Sequence, residues 1–488
     1  MSQQQRRNSK RFNVTVLFIF CAALICFALM TSSKAAVEGI AGLSKNADGA
    51  YLITSSADLA AFRDAVNSSN DVHSADNALL AADIDLEGVN WVPIGAYSDS
   101  ESDYKPYSGV FDGQWHSIKG LYISTDASFQ GLFGYIAGES ASVKNLAVEG
   151  SVRGNDAVGH IAGWLAQGSI KDCSAAGSVA GNGNTGGIAG SAGAYAEIRN
   201  CTVSGSVSSK SGAGGVVGLN NGLVFNCVAS ASDSAANSSD TYGGIAGYNN
   251  FGSITNCASS GPSTAINSAG GIAGANLGGT ITNCAATGHV SCGNANFRGG
   301  IAGISDTHST IANCGWLNTC ASRDVGEWSY DNVTSSDITS FDQAALDAGK
   351  ITVACLPQKL TLTADSTGTL KLAVYPSASP DAVTPVSASV KPETLASVSI
   401  AGKTVSVKGG SAVGTGMLTT NYKLTPTWFQ TSGSVASTST DVDISGSSML
   451  TVAEAAPVSP DHSGSGGCSA GLAGLALLAL PFVIKKKK

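Results

Sequence analysis

Charge is scarce in the middle of this chain. Residues 170–314 hold nine charged side chains in 145: Lys171, Asp172, Glu197, Arg199, Lys210, Asp233, Asp240, Arg298 and Asp306. A groove that cleaves polysaccharide needs clustered carboxylates with Arg or Lys, often around calcium, and this stretch is too sparse for one. Long apolar runs are missing too. The apolar pieces here last three to five residues and show no 3.6-residue period, which excludes helices. The 12 cysteines include no Cys-x-x-Cys pair, which removes the commonest zinc arrangement. The zinc-protease pattern His-Glu-x-x-His is absent as well.

What is present is repetition. Six lines read almost alike: Ile-Lys-Asp-Cys at 170–173, Ile-Arg-Asn-Cys at 198–201, Val-Phe-Asn-Cys at 224–227, Ile-Thr-Asn-Cys at 254–257 and 281–284, and Ile-Ala-Asn-Cys at 311–314. The cysteines lie 28, 26, 30, 27 and 30 residues apart. A glycine-framed line precedes most copies, as Gly-Gly-Ile-Ala-Gly at 186–190, 243–247, 270–274 and 299–303 and Gly-Gly-Val-Val-Gly at 214–218. A third piece follows the cysteine, as Gly-Ser-Val at 177–179 and 205–207. So regular a period marks a solenoid.

Short Ile- and Val-rich pieces bounded by glycine read as strands. Three strands and three corners in about 28 residues make one turn of a right-handed parallel β-helix, and the copies predict about seven coils. Ile and Cys are three apart, so on a flat strand they would face opposite ways. The equivalent line at 143–146 ends in Leu146, so the cysteine position wants an apolar side chain. Both ends point inward only if the chain bends at the Asn between them, a residue that tolerates left-handed angles. Asn145, Asn200, Asn226, Asn256, Asn283 and Asn313 then form a ladder of amides, interrupted by Asp172.

Cys173, Cys201, Cys227, Cys257, Cys284 and Cys314 stack likewise. In-register side chains point the same way, not at each other, so free core thiols are preferred to a chain of disulfides, and a line of sulfurs is not a tetrahedral metal site. Cys314 and Cys320 are the best single pair for a bridge. Unpaired thiols in an exported chain suit an oxygen-poor habitat. No metal or cofactor is expected.

Both ends carry addresses. Arg6, Arg7, Lys10 and Arg11, an apolar stretch at 14–30 and small residues to Ala35 read as a signal peptide of residues 1–35, cleaved at Ala35. At the other end a Gly/Ser-rich stretch to Gly466, Gly467 and Cys468 leads into an apolar run at 469–484 and four lysines. Sixteen helical residues span about 24 Å, short of a bilayer core unless the lysines snorkel. This layout resembles bacterial carboxy-terminal sorting signals of the glycine-glycine type, and the variant at 466–471 is most similar to the one called Synergist-CTERM. The resemblance implies membrane retention, cleavage near Gly467 and Cys468 by a processing protease, and transfer to the surface. Without both ends the mature chain has 18 basic against 35 acidic side chains, a net of −17. Such a surface repels nucleic acid and anionic lipid.

Between the ends, residues 36–142 read as an amino-terminal α/β cap with the first coils, beginning with a capped helix at 55–66, and 143–325 as the repeats. The block 45–320 resembles the GLUG-repeat exported proteins of bacteria. Such repeats occur in adhesin-like surface proteins and beside the catalytic part of IgA-specific metallopeptidases, whose signature is missing here. Residues 326–350 read as a hinge. Alternating segments at 351–453 with turns every 8 to 15 residues predict a β-sandwich similar to bacterial immunoglobulin-like modules. Residues 454–467 are a linker and 468–488 the anchor.

The acidic stretch Asp99, Glu101, Asp103 with Tyr104 is the richest candidate for binding calcium or sugar, against the plainer reading of a solvated loop. Asp83, Asp85 and Asp112 suit turns. His160 stands where other copies have glycine and reads as a surface substitution; Tyr242, Tyr248 and Phe251 suit a sugar-stacking patch on one long corner or, equally, the cover of an edge. The chain is therefore expected to be an exported, surface-displayed, adhesin-like binder, not an enzyme, contacting a host, neighbouring cells or extracellular polysaccharide. A polysaccharide-degrading enzyme and a purely structural envelope protein remain the alternatives.

Overall fold

The computed structural model describes residues 39–68, 72–95, 105–233, 239–306, 308–326, 334–336 and 338–341, and within the carboxy-terminal part 353–355, 359–363, 367–370, 373–375, 383–391, 393–401, 404–411, 414–424 and 442–453. The chain divides into Met1–Ala41 and Gly42–Lys488, and every element below belongs to the second unit.

Each rung begins from a three-residue alternation. In Ser253–Thr255 the middle Ile254 is buried and its neighbours are half-buried, and Leu223–Phe225, Thr280–Thr282 and Thr310–Ala312 repeat the pattern. Strands this short cannot cover their own apolar side chains, so they stack. Val143, Ile170, Ile198, Val224, Ile254, Ile281 and Ile311 pair residue for residue up the solenoid, and all are 0% exposed. Each such burial stabilises by roughly 1.5–3 kcal/mol.

Among the described residues three long parallel ladders result, with a short one of two strands, Ser263–Ala265 and Val290–Cys292, beside them. The first is 16-stranded, running from Tyr51–Ile53 to Thr334–Ser336, and contains both the strands before the cysteines and those after the glycine lines. The second has ten strands, Ile84–Asp85 to Thr339–Phe341, and the third five, Thr185–Gly186 to Arg298–Gly299. Glycine marks the tight corners because neighbouring backbone comes too close for a side chain. A Cβ on Gly270 would overlap the carbonyl oxygen of Ala273, and one on Gly243 that of Ala246.

The solenoid has about nine turns, more than the seven that the Asn-Cys lines suggest. In-register pairing runs past the recognisable copies in both directions. Ile84 pairs with Ile118 and Ile118 with Val148, while Trp316 pairs with Ser340. Backbone pairing and burial make a coil there without the signature residues.

The helix α1 occupies Ser56–Val66. Ser55 Oγ accepts from the Asp58 backbone N–H at 3.2 Å, and the Asp58 carboxylate accepts from the Thr54 hydroxyl at 2.6 Å. That hydroxyl bond chiefly holds the Asp58 pKa below its ordinary value. The buried face of Leu59, Phe62 and Val66 delivers Phe62 to an aromatic cluster with Tyr51, Tyr107 and Phe111 at 6.0–6.4 Å between ring centres.

Strands between Val353 and Ala453 form a four-stranded, a three-stranded and a two-stranded sheet. The four-stranded sheet is mostly antiparallel, with Val383–Lys391 and Val442–Ala453 on either side of Gly414–Leu424.

Candidate functional site

The amides of the Asn-Cys lines sit at a backbone bend. Asn145, Asn200, Asn226, Asn256, Asn283 and Asn313 all have φ between 51° and 53° or at 56°, and Asp172 has 55°. Asn256 Nδ2 donates to Asn226 Oδ1 at 3.0 Å, Asn226 to Asn200 at 2.8 Å, and Asn200 to Asp172 at 3.0 Å. A carboxylate has no N–H to pass on, and Asn145 Oδ1, on the coil before, is buried without a partner. Asn145 Nδ2 donates to Asp112 Oδ1 at 3.0 Å. The run also opens above Asn256, where the Oδ1 atoms of Asn256 and Asn283 lack partners. Burial pushes the Asp172 carboxyl up, opposed by the bond from Asn200 and by Lys171, Arg199 and Lys144.

The six cysteines of these lines are 0% exposed and free. Each thiol points at the carbonyl two residues earlier, at 3.1 Å for Cys284 to Thr282 and 3.4 Å for Cys227 to Phe225. Burial pushes the thiols of Cys201, Cys257 and Cys314 up. The pairing of Cys314 with Cys320 is not formed. Cys314 lies in the inner column, and the Cys320 thiol donates to the Thr287 carbonyl at 3.0 Å.

The candidate binding residues Asp99, Glu101, Asp103 and Tyr104 lie outside the described residues, as do Ala35, Gly466, Gly467 and Cys468. The flanks of the acidic stretch are anchored. The Gly95 N–H donates to Asn67 Oδ1 at 2.8 Å, and Lys105 Nζ to the Asn67 carbonyl at 3.2 Å. Asp83, Asp85 and Asp112 each accept from a nearby backbone N–H, of Ser117, Glu87 and Gln114. Burial raises the Asp83 pKa, but the bonds from Ser117 and His116 outweigh it and the net shift is downward.

Two surface readings are corrected. His160 is 1% exposed, with Nδ1 at 3.1 Å from the Gly187 carbonyl and Nε2 at 3.2 Å from the Gly150 carbonyl across the coil. On other rungs Val203, Ser259 and Ala286 stand against the equivalent Gly187, Gly244 and Gly271, whereas here the ring itself lies in the interior, and burial pulls its pKa down. Tyr242, Tyr248 and Phe251 do not form one patch. Tyr242 is 0% exposed, because it occupies the inward place that Ala213 and Ala269 take on adjacent rungs. Tyr248 is half-buried and packs over Gly212, whereas Phe251 is exposed.

A second amide column was missed from sequence. Asn220, Asn249 and Asn276, each 0% exposed, stand two residues after the glycine lines. Asn220 Nδ2 donates to Asn249 Oδ1 at 2.8 Å, and Asn249 Nδ2 to Asn276 Oδ1 at 2.8 Å. That spacing from the last glycine was a usable signal.

The outer faces vary. Between the inward Ile and the bend, successive rungs present Lys144, Lys171, Arg199, Phe225, Thr255, Thr282 and Ala312. Lys144 pairs with Asp112 at 3.2 Å, and Arg199 pairs with Glu197 while lying 5.4 Å from the Phe225 ring. On the strands after the glycine lines, the Tyr135 and Trp164 rings of adjacent rungs stack at 4.9 Å, with Phe129 6.0 Å from Trp164.

Residues 181–208 and 265–291 match the model of the GLUG motif. Each matched stretch is about one coil. The first holds Thr185–Gly186, Ala189–Arg199, the bend at Asn200 and Thr202–Ser208, one strand from each ladder. A GLUG coil here is thus one full rung with its inward Ile, bend Asn and core Cys. A crystal structure of a candidate immunoglobulin A1 protease from Bacteroides ovatus is similar at 22% identity with a TM-score of 0.42, covering 63% of this chain and 90% of that one. No curated protein matches the chain.

Proposed function

We infer that this is an exported protein displayed at the cell surface as an adhesin-like binder. It uses the outside of the GLUG solenoid to contact a host, a neighbouring cell or extracellular polysaccharide. The observation that carries this reading is the contrast across each strand. Inward positions repeat almost unchanged, while outward ones change from rung to rung and include the partly exposed Tyr135–Trp164 stack. A rigid rod with a variable face is a means of presenting contacts, and stacked aromatics are suited to sugar faces and apolar ligand surfaces. The protein binds and does not catalyse.

Display needs an address and a stalk. The basic and apolar start of the chain supports export with cleavage at Ala35. The layout from Gly466 to the four lysines supports membrane retention followed by processing at Gly467 and Cys468. The strands between Val353 and Ala453 support an immunoglobulin-like spacer that holds the solenoid away from the membrane. Among the described residues no helix is long and apolar enough to cross a membrane; the terminal apolar run lies outside them.

The test is made on intact cells that produce the chain. Antibody to the repeats should label them, mass spectrometry should find a mature carboxy terminus near Gly467, and deletion should lower adhesion to cells or glycan-coated surfaces several-fold. Labelling only after lysis, or adhesion unchanged by deletion, would overturn the reading.

A further inference from the structure

We propose that one corner of the solenoid is a binding site for a neutral, extended β-1,4-linked polysaccharide, with Tyr195 and Phe251 as its two stacking platforms. This rests on the adhesive reading and names its ligand class. Tyr195 and Phe251 are the two most exposed large apolar side chains among the described residues, at 81% and 77%. They occupy the same corner, between the strand after the glycine line and the strand before the bend. Ala192 pairs with Asn220 and Asn220 with Asn249, so Tyr195 and Phe251 belong to coils two rungs apart. At the spacing of neighbouring strands that is about 9.6 Å along the axis.

The coil between them turns this corner with Asn221 and Gly222, so no large side chain fills the gap. Its floor is polar. Asn250 Nδ2 donates to Asn221 Oδ1 at 2.7 Å, and Asn221 Nδ2 donates to the Ala192 carbonyl at 3.3 Å. Two exposed rings with an amide floor between them do not make the continuous apolar patch that a protein partner buries. They do match a flat β-1,4-linked chain, whose rings flip at each step so that every second ring offers the same face. The repeat of two sugars is close to that of two rungs. The apolar ring faces stack on aromatics, and the hydroxyls of the intervening sugar meet the amides. No carboxylate or ammonium group lies on this corner between the two platforms, which selects a neutral polymer; the nearby Glu197 is paired with Arg199.

Phe251 is held for this task. Its φ is 55°, a left-handed angle costly for an aromatic residue, and the next rung puts Gly278 at φ 64° in the same place. A Cβ on Gly278 would stand 2.6 Å from the Phe251 ring, so the ring lies over that glycine and is fixed in direction. Glycine would serve the fold at position 251 as it does at 278.

Titration calorimetry of the full chain with cellohexaose, mannohexaose and chitohexaose tests the site, with maltohexaose as the curved, α-linked control. At least one β-1,4 hexamer should bind and maltohexaose should not. Tyr195→Ala and Phe251→Gly should each weaken binding about tenfold, and the double variant should abolish it with the melting temperature kept. Absence of binding to all three hexamers, equal binding of maltohexaose, or a double variant that binds like the parent would overturn the proposal. Cell adhesion separates it from the reading beneath. A double variant that adheres as well as the parent overturns the glycan site and leaves the adhesive role. A corner that binds glycan on a chain whose deletion leaves adhesion unchanged upholds the site and overturns the role.

Discussion

The two amide columns run in opposite directions. At the bend before the cysteines, hydrogen bonds pass toward the amino-terminal coils, from Asn256 to Asn226, Asn200 and Asp172. After the glycine lines they pass the other way, from Asn220 to Asn249 to Asn276. The second column also holds its own corners: Asn249 Nδ2 donates to the Gly252 carbonyl at 3.1 Å, Asn276 Nδ2 to that of Gly279 at 3.1 Å, and Asn220 Oδ1 accepts from the Gly222 N–H at 3.1 Å. The first column instead spends its residue on the backbone, through a left-handed angle at every member. One asparagine is chosen for its side chain, the other for its φ as well. The difference teaches that a residue repeated in register serves whichever need its coil position imposes.

The comparison breaks most visibly at Asn249. Asn249→Ala takes the amide partner from Asn220 Nδ2 and from Asn276 Oδ1 inside the solenoid and one of two donors from the Gly252 carbonyl, which keeps the Thr280 N–H, and should cost about 4 kcal/mol in urea denaturation. Asn226→Ala should cost about 3 kcal/mol, from two lost amide bonds and a Cβ-bearing residue without a side-chain acceptor at φ 51°. Glycine then sharpens the contrast. Asn226→Gly should be milder than Asn226→Ala by about 1 kcal/mol, because glycine accepts the left-handed angle. Asn249 has an ordinary negative φ, so there glycine should be worse than alanine by roughly 0.5–1 kcal/mol. The same order at both sites would show that the bend has no special conformational demand.

The thiols beside the first column matter less. Cys227→Ala removes one sulfur packed between Cys201 and Cys257, and should cost about 1–2 kcal/mol as a small cavity. No loss at all would mean that the inner corner closes over the gap.

Why one column was legible and the other was not follows from particular residues. The bend asparagines share a line with an Ile and a Cys that are fully buried, so three positions repeat together and the eye finds them. Asn220, Asn249 and Asn276 have Leu165, Ala192 and Ser305 as counterparts on other rungs, and half the copies hide the pattern. Tyr242 was readable in principle: aligning the coils places it with Ala213 and Ala269, on an inward column. His160 was not, because its acceptor Gly150 lies across the coil and no local spacing records that distance. That Tyr195 and Phe251 share a corner was readable from one side only. Each stands three residues before the Ile of its Asn-Cys line, but counted from the glycine line their turns take four and three residues, against two between them, which hides the match.

The smallest effect concerns the interruption in the first column. Asp172 accepts from Asn200 but, ionised, has no hydrogen to give, and the Asn145 Oδ1 on the preceding rung is left unpaired. Asp172→Asn supplies the missing N–H and should stabilise by about 1 kcal/mol at neutral pH. The sign with pH follows from burial, which raises the folded pKa of Asp172 above its ordinary 3.8. Between the two values the folded chain binds more protons than the unfolded one, so this site's contribution is full below pH 3.8 and is lost as pH rises through the raised value. A protonated Asp172 also carries an O–H of the kind Asn145 lacks. The advantage of Asp172→Asn should therefore be small in acid, grow as pH climbs past 3.8, and level off once the carboxyl is ionised in both states. Urea midpoints of parent and variant across that range measure it. A gap that stays constant with pH would show that the carboxylate, though buried, is no break in the column.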